Sequence, residues 1–401
     1  MIRRRRRKFW RRRAIVGLVV IFLLWFFLSL GSALLNPSYG SSTGARFAEW
    51  ARQHGAGGVV TWVESQWYSL NPPPVGGKPP AGSIKVPTTT SSSTPTAAPQ
   101  IAHLPAPAAI VPPASPALPG EGQWSPAGRE VDGIPAVYTT TLRPDAVHTS
   151  YVVGVAWMDS KLLKATLYSG SQIPGGGPFT HTAPIPASAA TTLVAAFNAG
   201  FRMGDAQGGY YTDGRTVLPL RAGAASYVVY ANGTSTVGAW DEGVSMTPDV
   251  VSVRQNLDLL VNNGQPVPGL RVTDTTRWGN TLGGAVYVYR SGLGVTANGA
   301  LVYVGGPGLN ITDLADLLVR AGAVRAMELD INTDWVNYVS YRPLLPFGPA
   351  TPANGTELLP AMVGGPVRYF QPWWARDFIT MSTVTGPSAG QSPSSHRTTS
   401  R

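Results

Sequence analysis

The chain has 401 residues, 13% of them charged, with 46 Gly, 36 Pro, no Cys and a formal net charge of +10. Residues 1–13 (MIRRRRRKFWRRR) hold nine Arg or Lys and no acid, whereas residues 121–380 hold 16 basic against 19 acidic side chains. The positive charge therefore belongs to one terminus, which argues against a nucleic-acid partner; the lack of Cys excludes disulfide scaffolds, thiol catalysis and cysteine-ligated metals.

Residues 14–35 (AIVGLVVIFLLWFFLSLGSALL) run for 22 positions without a charge, and a helix rising about 1.5 Å per residue needs roughly 20 to cross a bilayer. The run is longer than a secretory h-region and ends on bulky Leu34 and Leu35, so an uncleaved signal-anchor is expected rather than a cleaved leader. The basic residues 1–13 predict a cytoplasmic tail, and so a single-pass protein of the cell membrane with everything beyond residue 36 extracytoplasmic. Within residues 36–70, Phe47, Trp50, Ala51 and His54 stand at helical spacing. A break at Gly55–Gly58 separates them from Val59, Val63 and Trp67, which predicts two short amphipathic helices. Residues 71–120 contain 14 Pro and two charges and are expected to be a disordered, extended stalk reaching on the order of 150 Å. A polar, disordered tail is expected over 382–401.

The remaining 121–381 form one domain large enough for a core without disulfides. Strand-like runs fall at 151–157, 162–168, 192–198, 226–231, 285–290, 301–304, 324–330 and 378–381, and one amphipathic helix at 311–321, capped by Asn310 or Thr312 and stopped by Gly322. The class expected is sheet-rich α+β with one strand–helix–strand unit near its C-terminal end. His148 and His181 are the only histidines in the domain, so neither a metal nor a cofactor is expected.

Three segments end a buried strand on polar groups. In LVAAFNAGFR (193–202), an apolar strand ends on Asn198, turns at Gly200 and presents Arg202. An amide beside a guanidinium suits a phosphate or sugar hydroxyls, and an Asn closing a turn gives the same pattern. In YVYRSGLG (287–294), Arg290 shares a face with apolar Val288 and needs a carboxylate or an anion as partner. In VRAMELDIN (324–332), alternation places Glu328, Asp330 and Asn332 on one strand face, with the two acids about 6.6–6.8 Å apart at Cα. Carboxylates at roughly 5–9.5 Å serve glycoside hydrolysis; either acid also suits a structural Arg.

In order and spacing, AAFNAGF (195–201), VYRSGLGVTANGALVYV (288–304) and GAVRAMELDIN (322–332) resemble the phosphodiester glycosidase family. The resemblance covers roughly residues 190–345 and implies that family's mixed α/β fold and its reaction. That reaction hydrolyses the bond between a sugar's anomeric carbon and a phosphodiester. It implies Asn198, Gly200, Arg290 and Asp330 as site positions. Asp330 would be general acid/base or electrostatic stabiliser and Glu328 the second carboxylate, with Arg202 and Arg290 holding phosphate, Asn198 on a sugar hydroxyl or phosphate oxygen and Asn332 on the sugar. The family follows its Asp with Gly-Gly-Gly-Ser, where this chain has Ile331-Asn332-Thr333-Asp334. The partner expected is a cell-envelope sugar phosphate or glycan. The alternative is a catalytically inactive glycan-binding or scaffold module on the same fold.

Overall fold

The computed structural model describes residues 2–40, 42–70, 73–87, 101–272, 274, 277–279, 287–345 and 348–384. Strands are numbered in chain order. The largest sheet has eight strands in the order β1 (Ser125–Val131), β2 (Ile134–Leu142), β3 (Val153–Met158), β14 (Leu301–Leu309), β13 (Val288–Thr296), β15 (Ala323–Glu328), β11 (Leu259–Asn262) and β12 (Gln265–Pro266). A second sheet orders β17 (Gly355–Glu357), β16 (Tyr338–Tyr341), β5 (Leu193–Asn198), β18 (Phe378–Thr383) and β4 (Leu163–Tyr168). The third orders β7 (Arg215–Leu218), β6 (Tyr210–Thr212), β10 (Val250–Gln255), β8 (Ala225–Tyr230) and β9 (Ser235–Ala239).

Both β14 and β15 pair antiparallel with β13, so the predicted strand–helix–strand unit is a split one, with β13 inserted between its two parallel strands. Its helix, Ile311–Arg320, takes its N-cap from the Asn310 side chain, which accepts from the Asp313 N–H. Leu314, Leu317 and Leu318 of that helix are buried against Val302, Val304 and Ala326 of the sheet. A Cβ on Gly292 would stand 2.9 Å from Leu318 Cδ1, so the central strand lacks a side chain where the helix lies closest. The opposite face, through Leu293, Tyr303 and Met327, shares the main core with Phe197, Tyr227 and Tyr338 of the other sheets. This is the sheet-rich α+β class that the patterning predicts.

The first α-helix, α1 (Ile2–Leu35), contains a 25-residue stretch, Arg11–Leu35, long and apolar enough to cross a membrane. Two shorter helices follow, α2 (Thr43–Ala51) and α3 (Gly57–Leu70), with the kink between them at Gly55, whose φ is +81°. Within the Pro-rich segment, two described parts lie against the domain rather than extending from it. Residues 101–120 lie along the domain, with Ile110 and Ala114 buried and the Leu104 N–H donating to Asp159 at 2.7 Å. Residues 73–87 are also tied to it, through the Gly76 N–H to Val147 O and the Lys85 N–H to Thr141 Oγ1. Proline lacks an N–H to satisfy, so an extended Pro-rich strap with a few apolar residues docks on a sheet at small polar cost. Residues 88–100, and the tail from 385, lie outside the described residues.

Candidate active site

The three sheets converge at one end, where β5, β10, β13 and β15 deliver polar residues and the segment before β18 supplies Arg376 and Asp377. Asn198 ends β5 fully engaged: its Nδ2 donates to Ser291 Oγ at 3.0 Å, and its Oδ1 accepts from Tyr303 Oη at 2.9 Å and the Asn337 N–H at 3.2 Å. It therefore ties the second sheet to β13 and holds Ser291, whose N–H donates to Asp330 O at 2.9 Å.

Beyond β5, the reason for Gly200 is steric. A Cβ there would stand 2.9 Å from the guanidinium carbon of Arg254. Arg254, buried on β10, donates through Nε to Asp377 at 2.6 Å, through Nη1 to Gln255 O and through Nη2 to Phe201 O. The next residue but one in the chain, Asn256, accepts from the Phe201 N–H at 3.2 Å and donates to Glu328 O at 2.7 Å, joining β5's turn to the end of β15.

The expected alternation through Glu328 and Asp330 stops short. Strand β15 ends at Glu328, and the two acids turn to different partners. Glu328 is wholly buried and accepts from Arg290 Nη1 at 2.6 Å, while Arg290 Nε donates to Leu309 O at 3.0 Å. Burial pushes the Glu328 carboxyl up to about 7 against the opposing pull of Arg290. Arg290 thus spends its guanidinium within the protein. Asp330 instead faces Arg376, whose Nη1 is 3.9 Å from Oδ2, and its Oδ1 accepts from the Ile331 N–H at 2.8 Å. Oδ2 is buried with no hydrogen-bond donor among the described residues. Burial raises Asp330 to about 6; Arg376, the Ile331 N–H, Arg254 and Arg202 pull it back. Arg376 is therefore the guanidinium beside a carboxylate that has an oxygen to spare, with Arg254 and Arg202 acting on it at longer range.

Arg376 is held by stacking over Trp335, 4.4 Å from the ring centre. Arg202 leads into the short helix Met203–Ala206 and pairs with Asp205 at 3.0 Å and with Glu49 of α2 at 3.2 Å. Asn332 is not brought into this group. Its Oδ1 accepts from the Asp334 N–H at 2.8 Å, closing a turn of its own. Where the resembled family has glycines, Ile331 is packed with Phe201, Leu257 and Val288, and its N–H serves Asp330 rather than standing open to a ligand. Among the described residues no group of three or more His, Cys, Asp or Glu is placed to hold a metal.

Sequence reasoning passed over Arg254, Arg376 and Asp377. Arg254 follows Val253 in a strand of modest pattern, and the WWARD run (373–377) carries its signal only as two charges after two tryptophans. A buried arginine in a strand, as with Arg290, was the available clue.

At this end of the domain, buried carboxylates and guanidiniums are gathered, among them the Arg290–Glu328 and Arg254–Asp377 pairs. Residues 191–330 match the family model described as phosphodiester glycosidase. Among solved structures, the chain is similar to the catalytic domain of zebrafish N-acetylglucosamine-1-phosphodiester alpha-N-acetylglucosaminidase, auto-inhibited by its pro-peptide. That match has 15% identity, a TM-score of 0.39, and covers 65% of this chain and 87% of the zebrafish one. A hypothetical protein from Synechocystis matches at 12% identity with a TM-score of 0.32, over 65% of this chain and 64% of its own. A search of curated proteins returned no match.

Proposed function

We propose that this chain is a membrane-anchored hydrolase that cleaves the bond between a sugar's anomeric carbon and a phosphodiester of the cell envelope. The observation that carries the reading is Asp330: a buried carboxylate with a free oxygen, raised to about 6 and faced by Arg376 at 3.9 Å. In this reaction the C1–O bond breaks, a phosphomonoester departs with the bonding electrons, and water supplies the new anomeric hydroxyl. A phosphomonoester is a stable leaving group and needs little proton donation, so the demand falls on stabilising positive charge at C1 and negative charge on phosphate. Ionised Asp330 meets the first demand and takes the proton of the attacking water; Arg376 and Arg202 meet the second.

Glu328 and Arg290 we assign to support. Their mutual bond and complete burial suit a pair that fixes the end of β15 beneath Asp330. Asn198 does the same from β5, and Gly200 makes room for Arg254. The competing reading, a binding or scaffold module without catalysis, is favoured by one observation: the Ile331 N–H is consumed by Asp330. An assay of the full chain in detergent against methyl 1-phosphodiesters of common sugars separates the two. Turnover by wild type and its loss in Asp330→Asn supports the enzyme; equal turnover by both removes Asp330 from the reaction. Tight binding without turnover leaves the binding module.

A further inference from the structure

Where the anchor meets the domain bears on the substrate. Only Asn36 separates the end of α1 from the turn Pro37–Tyr39, and Gln172 of the domain donates to Ser38 Oγ in that turn at 2.8 Å. Helix α2 then runs back along α1: Trp50 Nε1 donates to Ser29 Oγ at 2.9 Å, and the Trp50 ring stands edge-on to Phe26 at 5.1 Å. Arg46 caps the end of α1 by donating to Leu34 O at 2.9 Å. Ser29 lies six residues before Leu35, about 9 Å along the helix, and a bilayer's polar layer is about 5–8 Å deep on each side.

Glu49, the neighbour of Trp50, accepts both contacts from Arg202, whose charge is close enough to Asp330 to lower its pKa. With α1 as the span, Glu49 and Arg202 stand near the level of Ser29, at headgroup depth. Val59, Trp62 and Val63 on one face of α3 are exposed apolar side chains, as are Leu18, Ile21 and Leu28 of α1. The described parts of the Pro-rich segment, residues 73–87 and 101–120, are laid on the domain.

We infer, resting on the phosphodiester glycosidase reading above, that the substrate is a sugar 1-phosphodiester whose aglycone is a lipid held in the outer leaflet, rather than a polymer distant from the membrane. The sugar and phosphate of such a molecule stand at the depth of Arg202 while its chain stays in the bilayer beside α1.

The test uses the full chain in phosphatidylcholine–phosphatidylglycerol vesicles. Its probes are glucosyl, galactosyl, mannosyl and N-acetylglucosaminyl 1-phosphodiesters, each as a hexadecyl and a methyl ester. The expected result is a kcat/KM at least about tenfold higher for the hexadecyl ester of the preferred sugar. The double variant Glu49→Ala/Gln172→Ala, still anchored but undocked, should keep methyl-ester turnover and lose most of that preference. Hydrolysis of the methyl ester with no preference for hexadecyl overturns the lipid inference and leaves the glycosidase reading standing. A preference unchanged in the double variant overturns it too, since anchoring alone would then explain the effect. Hydrolysis of no ester overturns both.

Discussion

Replacing Asp330 by Asn should abolish turnover and make the protein more stable at neutral pH. The carboxyl is raised from 3.8 to about 6 in the folded chain. Between those values the native state holds a proton that the unfolded chain has lost, so unfolding free energy falls as pH climbs from about 4 to 6 and stays lowered above. A shift of roughly two units corresponds to an upper limit of about 3 kcal/mol lost at pH 7. The attraction to Arg376 is already contained in it. Asparagine keeps the shape and an acceptor for the Ile331 N–H without the cost of a buried charge, so a gain of about 1–3 kcal/mol is expected, several degrees in Tm. Denaturant titration at pH 7 and at pH 4 reads the effect, which should nearly vanish at the lower pH. A variant that is both active and less stable at pH 7 would refute the reasoning, because Asp330 would then be a net structural asset rather than a charge maintained for chemistry.

Other consequences follow from neighbouring groups. Glu328→Ala leaves the Arg290 guanidinium buried with no acceptor on β15 and should cost about 3–5 kcal/mol, seen as a lower urea midpoint. Gly200→Ala drives a methyl against Arg254; overpacking of about 1–3 kcal/mol and reduced turnover are expected. Arg376→Lys retains charge but loses the stack on Trp335 and the planar fork, and should raise KM for the phosphodiester with little change in Tm. The pH profile of wild-type kcat/KM should rise with an apparent pKa of about 6 as Asp330 ionises.

Legibility in the sequence followed local physics. The strands at 192–198 and 324–330 and the helix at 311–321 announced themselves through continuous apolar runs, 3.6-residue spacing and caps, and their ends were placed to within two residues. Strands such as Ser125–Val131 and Ile134–Leu142 mix Thr, Pro and Gly with apolar residues, so their pattern emerges only when paired. At the site, Asp330, Arg290 and Glu328 were legible as costly charges in apolar strands, and their partners were not: Arg254 and Asp377 meet across 123 positions of chain. The strand period also misled beyond Glu328, because β15 ends there and Asp330 takes its direction from Ser291 and Arg376. Residues 101–120 read as unpacked because composition alone does not show that a sheet face lies ready to receive Ile110.

The central claim is that the C1–O bond, not the P–O bond, is broken. Hydrolysis of a sugar 1-phosphodiester by the full chain in ¹⁸O-water, followed by mass spectrometry of both products, decides it. The account predicts the label in the anomeric hydroxyl of the released sugar and an unlabelled phosphomonoester. Label in the phosphate would make the protein a phosphodiesterase and contradict the roles given to Asp330, Arg376 and Arg202.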